Sequence, residues 1–221
     1  MQNNPAVSAS RESVLATNTV LRNTYILLSM TLGFSAITAG ISMAMNLGHG
    51  TALVLMLVSF GMLFVVHKTA ESSKGLIAIF VFTGLLGASI GPMLNYYLSL
   101  PGGSMMIMQA MGTTAVAFLG LSGYALTSQK DFSYMGGFLT VGLIVVVVAM
   151  VANIFLHIPA LSLAVSSAIV FLMCGLILFD TSRIINGGET NYIRATVSLY
   201  LNIYNMFIHL LHLISVFSGD D

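Results

Sequence analysis

Seven apolar stretches, each close to bilayer length, are joined by connections too short to hold another domain. A helix rises ~1.5 Å per residue, so about 20 mostly apolar residues cross the hydrocarbon core. Candidate spans lie at about 24–45, 51–67, 76–98, 105–127, 134–156, 158–179 and 190–216, the last being the longest and least apolar. The connections carry the helix breakers: "NLGHG", "HKTAESSKG", "SLPGG", "SQKDFS", "HIPA" and "INGGETN". The pattern predicts an all-α membrane protein, one seven-transmembrane helical bundle. Composition agrees. The chain is 57% hydrophobic and 6% charged, whereas a soluble domain is about 25% charged and needs that polar surface to face water.

Three segments follow. Residues 1–23 read as a polar, disordered cytoplasmic tail, 24–217 as the transmembrane domain and 218–221 as a short acidic end. No cleavable signal peptide is expected, because the first apolar run is long enough to span and follows a polar stretch. Seven basic residues balance seven acidic ones, which excludes the basic patch that nucleic-acid binding needs. Membrane lipid is therefore the expected surrounding. Cys174, the single cysteine, lies inside "VFLMCGLIL" and reads as a small packing residue.

Basic residues set the predicted orientation. Arg11 and Arg22 precede the first span, Lys68 and Lys74 lie between spans 2 and 3, Lys130 between 4 and 5, and Arg183 and Arg194 flank the last turn. All seven fall on one side, and the loops at 46–50, 99–104 and 157 carry none. This predicts a cytoplasmic N-terminus and a periplasmic C-terminus. In "GLLGASIG", Gly84, Gly87 and Gly91 include one GxxxG pair and predict a close helix–helix approach.

The last span carries a polar seam. Arg194, Ser198, Asn202, Asn205, His209 and His212 recur at steps of three and four, with Asn191 in register. At about 100° per residue they share an arc of about 80°. Lipid does not tolerate such a seam. It must face other helices or a watery cavity, which predicts that helix 7 sits centrally with helices 1–6 around it. The seam reads either as structural glue between helices or as an ion path or gate. His209 and His212 belong to the one side-chain type that ordinarily titrates near neutrality. No nearby acid supplies a third ligand to them, so no metal site is expected.

Asp180 is the out-of-place acid. It stands near the end of span 6, in "GLILFDTSRI", where a helix dipole disfavours it. Arg183, at i+3, and Arg194, across the hairpin, are its candidate latch partners. On ideal helices whose ends are level, Asp180 meets the stretch from Arg194 to Ser198, and Asn202 lies ~9 Å deeper. "GLSG", residues 120–123, matches a four-residue pattern of intramembrane serine proteases. Ser122 lies too far along the bundle from His209 and His212 for a nucleophile–base pair. No catalytic residue is assigned, and no enzyme activity is expected.

The stretches "VLRNTYILLSMTLGFSAITA", "MVANIFLHIPALSLA" and "ILFDTSRIINGGETNYIRATVSLYLNIYN" resemble the Bax inhibitor-1 (transmembrane Bax inhibitor motif) family, in its bacterial YccA-like branch. The resemblance covers the chain from about residue 12 and implies a bundle in which six helices bracket the seventh. It also implies an association with the membrane-bound AAA protease FtsH and its HflKC partners, in the bacterial inner membrane. Alternatively, it implies a pH-sensitive calcium leak whose sensor is a pair of aspartates assisted by an arginine on helix 2. Calcium would then be the transported ion, and no bound cofactor is implied. The first sensor position matches Asp180. The second holds Asn202, and "TALVLMLVSFGMLFVV" carries no arginine. Two neighbouring carboxylates share a proton because both do not ionise comfortably side by side. An Asp–Asn pair has one titrating acid, and the amide donates a hydrogen bond permanently.

Overall fold

A computed structural model describes residues 5–128 and 130–219, with side chains described from Thr19 onward. The helices are α1 (Pro5–Ala44), α2 (His49–Thr69), α3 (Ser73–Leu98), α4 (Gly103–Ser128), α5 (Gly136–Leu156), α6 (Pro159–Ile185) and α7 (Tyr192–Ser218). A single 3-10 turn, Ser133–Met135, leads into α5, and the described residues contain no strand. All seven helices contain a segment long and apolar enough to span a membrane, that of α1 being Thr19–Ala44. α1 extends below this span to Pro5, where the sequence predicted a disordered tail. Its residues, "AVSASRESVLATNTVLR", include good helix formers and elongate a helix already nucleated, which costs far less than starting one. Residues 1–4 and the last two acids of the "SGDD" end lie outside the described residues.

The predicted breakers end the helices by identifiable means. His157 takes a left-handed conformation (φ 52°) after α5, and Pro159 opens α6 at its first turn. Gly187 (φ 74°) closes α6, and the Arg183 carbonyl accepts from the N–H groups of Gly188 and Glu189 at 2.8 and 3.2 Å. α7 starts on a side-chain cap. The Asn191 Oδ1 accepts from the N–H groups of Ile193 and Arg194 at 2.9 and 3.1 Å.

α3 is the most buried span, and α2 and α5 are the least. α2 lies mainly along α3, and α5 along α6. Both turn rows of Val, Leu, Ile and Phe outward, as a helix facing lipid must. The glycine prediction holds. A Cβ at Gly84 would meet the Phe34 ring at 2.6 Å, and one at Gly87 the Ser35 carbonyl at 2.2 Å. At Gly91 it would lie 2.2 Å from the Ser42 hydroxyl. α1 and α3 thus approach as closely as their backbones allow.

No residue of α7 from Tyr192 to Val216 is exposed. α7 packs on α6, α4 and α1 and touches α3 and α2. α5 stands beyond α6 and does not reach α7, so the expected bracket of six helices is incomplete at that position. The backbones of α1 and α4 stay apart, and the two helices touch through side chains at Tyr25, which bonds Ser122 and lies against the Phe118 ring.

Candidate functional site: the two polar edges of helix 7

The seam resolves into three groups along one side of α7. At its start, the Asn191 amide donates to the Ala70 carbonyl at 2.9 Å, and Arg194 pairs with Glu71 at 3.1 Å. Both partners lie in the α2–α3 connection, so this connection and the start of α7 share one end of the bundle. The ion pair is exposed and contributes less than about 1 kcal/mol.

One turn further in, Ser198 makes no side-chain hydrogen bond among the described residues. Next comes Asn202, which is 5% exposed and donates through Nδ2 to the Oδ2 of Asp180 at 2.8 Å. Asp180 is half-buried on α6, and this is its one side-chain hydrogen bond among the described residues. A half-buried carboxylate that receives a well-placed amide avoids part of the cost of leaving water.

Two expectations need correction here. Asp180 does not meet the stretch from Arg194 to Ser198, although α7 begins where the sequence placed it. The six residues Asn186–Asn191 carry the chain past the end of α6 to the α2–α3 connection before α7 turns back. The helix ends are therefore not level, and Asn202 arrives opposite Asp180. Nor does either arginine latch Asp180. Arg194 is held by Glu71, while Arg183 lies over the Phe179 ring, 5.5 Å from its centroid, and donates to the Gly188 carbonyl at 3.3 Å. Stacking on an aromatic face lets the guanidinium stay exposed.

Deeper along α7, Asn205 donates to the Leu201 carbonyl of its own helix at 2.8 Å. His209 and His212 converge on Ser166 of α6, with Nδ1 to Oγ distances of 3.2 and 3.0 Å. One hydroxyl can serve both rings, since it carries a donor and two acceptor lone pairs. Ser122 is elsewhere, bonded to the Tyr25 hydroxyl, so neither histidine serves it as a base. Among the described residues, no three His, Cys, Asp or Glu side chains cluster as metal ligands would.

Sequence reasoning missed a second polar edge on the opposite side of α7. Thr196, Tyr200 and Tyr204 recur at i, i+4 and i+8, centred about 160° from the seam at ~100° per residue. The Thr196 hydroxyl reaches the Tyr192 carbonyl at 2.7 Å and the Thr24 carbonyl at 3.3 Å. Tyr200, fully buried, bonds Ser35 at 2.7 Å and donates to the Thr83 carbonyl at 3.3 Å. Tyr204 lies 3.3 Å from both the Leu86 carbonyl and the Ser89 hydroxyl. The step of four was the available signal. It is weak because a tyrosine ring reads as apolar core and only its tip is polar. α7 is thus bonded to α6 along one edge and to α1 and α3 along the other.

Comparison with known proteins places this arrangement. Residues 17–219 match the family model described as inhibitor of apoptosis-promoting Bax1. An uncharacterized membrane protein of Vibrio cholerae is 51% identical over 97% of this chain and 96% of its own length. The Escherichia coli K12 protein named modulator of FtsH protease YccA is 50% identical over 96% of this chain and 97% of its own. The Pseudomonas aeruginosa relative, named as uncharacterized, is 44% identical over 100% of this chain and 97% of its own length. With a family match over almost the whole chain, this protein belongs to the Bax inhibitor-1 family.

Proposed function

We propose that this chain is a non-enzymatic inner-membrane modulator of an FtsH-type protease, acting beside its HflKC partners. The observation that carries the reading is its 50% identity, across 96% of its length, to a protein named for that role. The N-terminus is cytoplasmic and the C-terminus periplasmic. This orientation draws support from the shared end of the bundle at which Arg194, the α2–α3 connection and its lysines meet. The segment ahead of Thr19 is then the handle a cytoplasmic protease grips. Asp180 and Asn202 act as the lock of the α6–α7 hairpin, holding the bundle together while the handle is pulled.

The alternative, a pH-gated calcium leak at Asp180, is not supported. Asp180 bonds one amide and makes no ion pair among the described residues, and the bonded groups of the seam reach α6, the α2–α3 connection or the backbone of α7 rather than lining an open path. The test is deletion of residues 2–20, followed by the chain's turnover by reconstituted FtsH and by FtsH activity on a second membrane substrate. We expect slower turnover and a smaller effect on the second substrate. Unchanged binding together with unchanged turnover would refute the reading.

A further inference from the structure

α1 and α4 stand apart over the half of the bundle nearer the end of α1, leaving a crevice of about 520 Å³ between them. Its rims are exposed residues, Ala36 and Gly40 on α1 and Met111 and Ala115 on α4. Its floor is α7, at Ile203 and Phe207. Exposed rims and a buried floor mean that the crevice opens sideways, into the bilayer, rather than toward water. We propose that it is a binding site for the acyl chains of a membrane phospholipid.

Three observations select this occupant. The first is shape. The α1 wall runs from Leu32 to Met43, ~16 Å at 1.5 Å per residue. The volume then corresponds to a mean cross-section of ~30 Å², whereas a helix about 10 Å across needs ~80 Å². Carbon atoms of neighbouring chains sit ~3.5–4.0 Å apart, so one or two extended acyl chains fit within this width, whereas a helix would not lie inside it.

The second observation is chemistry. Every hydroxyl along the lining is already engaged. Tyr200 and Ser35 bond each other, Tyr204 reaches Leu86 and Ser89, and Thr114 donates to the Ala110 carbonyl of its own helix at 2.7 Å. No free hydroxyl donor remains among the described lining residues, the rest of the lining is apolar, and a methylene chain needs no polar partner. The third is that the space is held open by small residues. A Cβ at Gly40 would meet nothing within 4 Å, while the α1–α3 contact on the other side of the same helix is closed. Within a bilayer such a space fills with hydrocarbon, since an empty one forfeits the dispersion contacts of its whole lining.

The experiment uses the full chain in nanodiscs of phosphatidylethanolamine and phosphatidylglycerol, with a trace of phospholipid bearing a diazirine on its acyl chain. After photolysis, adducts are mapped by mass spectrometry. We expect adducts on α7 at Ile203 and Phe207, on the crevice floor, as well as on exposed α5 residues such as Val145. Gly40→Phe, or Ala115→Phe from the opposite rim, lowers the α7 adducts several-fold and leaves those at Val145 unchanged. An unlabelled α7 in the wild type overturns the proposal, as does equal α7 labelling with either rim filled. Repeating the labelling in native membranes separates lipid from a protein helix. An α7 floor labelled in nanodiscs but shielded in native membranes assigns the crevice to a partner helix and overturns the lipid site.

Discussion

The two sides of α1 are built from similar small residues and do opposite things. Toward α3, glycines of the partner helix meet Phe34, Ser35 and Ser42 so closely that no added carbon fits. Toward α4, Ala36 and Gly40 face open space. A stripe of small residues thus permits close approach but does not compel it. What closes the α3 side is a second set of contacts beyond the glycines. Tyr200 of α7 bonds Ser35 of α1 and the Thr83 carbonyl of α3, and Asn95 donates to the Met43 carbonyl at 3.0 Å. In lipid, where apolar contact alone does not drive helices together, van der Waals fit and such hydrogen bonds decide which faces pair. Among the described residues, no hydrogen bond joins α1 to α4 in the half of the bundle that holds the crevice.

The contrast can be broken most directly at Gly87. Gly87→Val places carbon against the Ser35 backbone and should cost ~2–4 kcal/mol, read as a lowered midpoint of thermal unfolding in detergent micelles. A wild-type midpoint would show that the α1–α3 contact is not tight. Asn202→Leu asks how a pairing made by polar groups, rather than by close approach, compares. It leaves Asp180 without its donor and should cost ~1–3 kcal/mol, with recovery in Asn202→Gln if the amide reaches. Gly40→Ala, on the open side, should change the sign. It relieves a helix-interior glycine without a clash and should raise stability by up to ~1 kcal/mol. A loss of stability there would mean that α1 and α4 close on each other in the membrane. Tyr200→Phe removes the hydroxyl that joins α1 to α3 and keeps the ring. Interhelical hydrogen bonds in membranes average ~0.6 kcal/mol, so a small loss is expected, with the Tyr200–Tyr204 stacking, centroids 5.9 Å apart, preserved.

Much of this was legible because lipid simplifies the code. Apolar runs of spanning length must be helices, and breakers between them must be turns, so all seven predicted spans appear as helices, although α1 begins 19 residues earlier and α6 ends six residues later than expected. The seam on α7 was legible for the same reason, since seven polar residues in one arc have to be hidden. The Asp180–Asn202 pair was legible only as two positions, and the level-helix estimate argued against their meeting. That estimate failed because register across a hairpin depends on how far the loop overshoots, and a six-residue loop can start the next helix level or well past the last one.

The sequence by itself determined the number of spans, their approximate places, the face of α7 that must turn inward and the glycines through which two helices touch. Each follows from local periodicity in a medium that punishes unpaired polar groups. Only the tertiary structure decided who meets whom. It gave Arg194 to Glu71 and both histidines to Ser166, and it placed Arg183 on an aromatic ring instead of the acid three residues away. It also left α1 closed on one side and open on the other. Those outcomes depend on helix offset and spacing across the bundle, which are set by the sum of many contacts from distant parts of the chain and leave no mark in any single stretch of it.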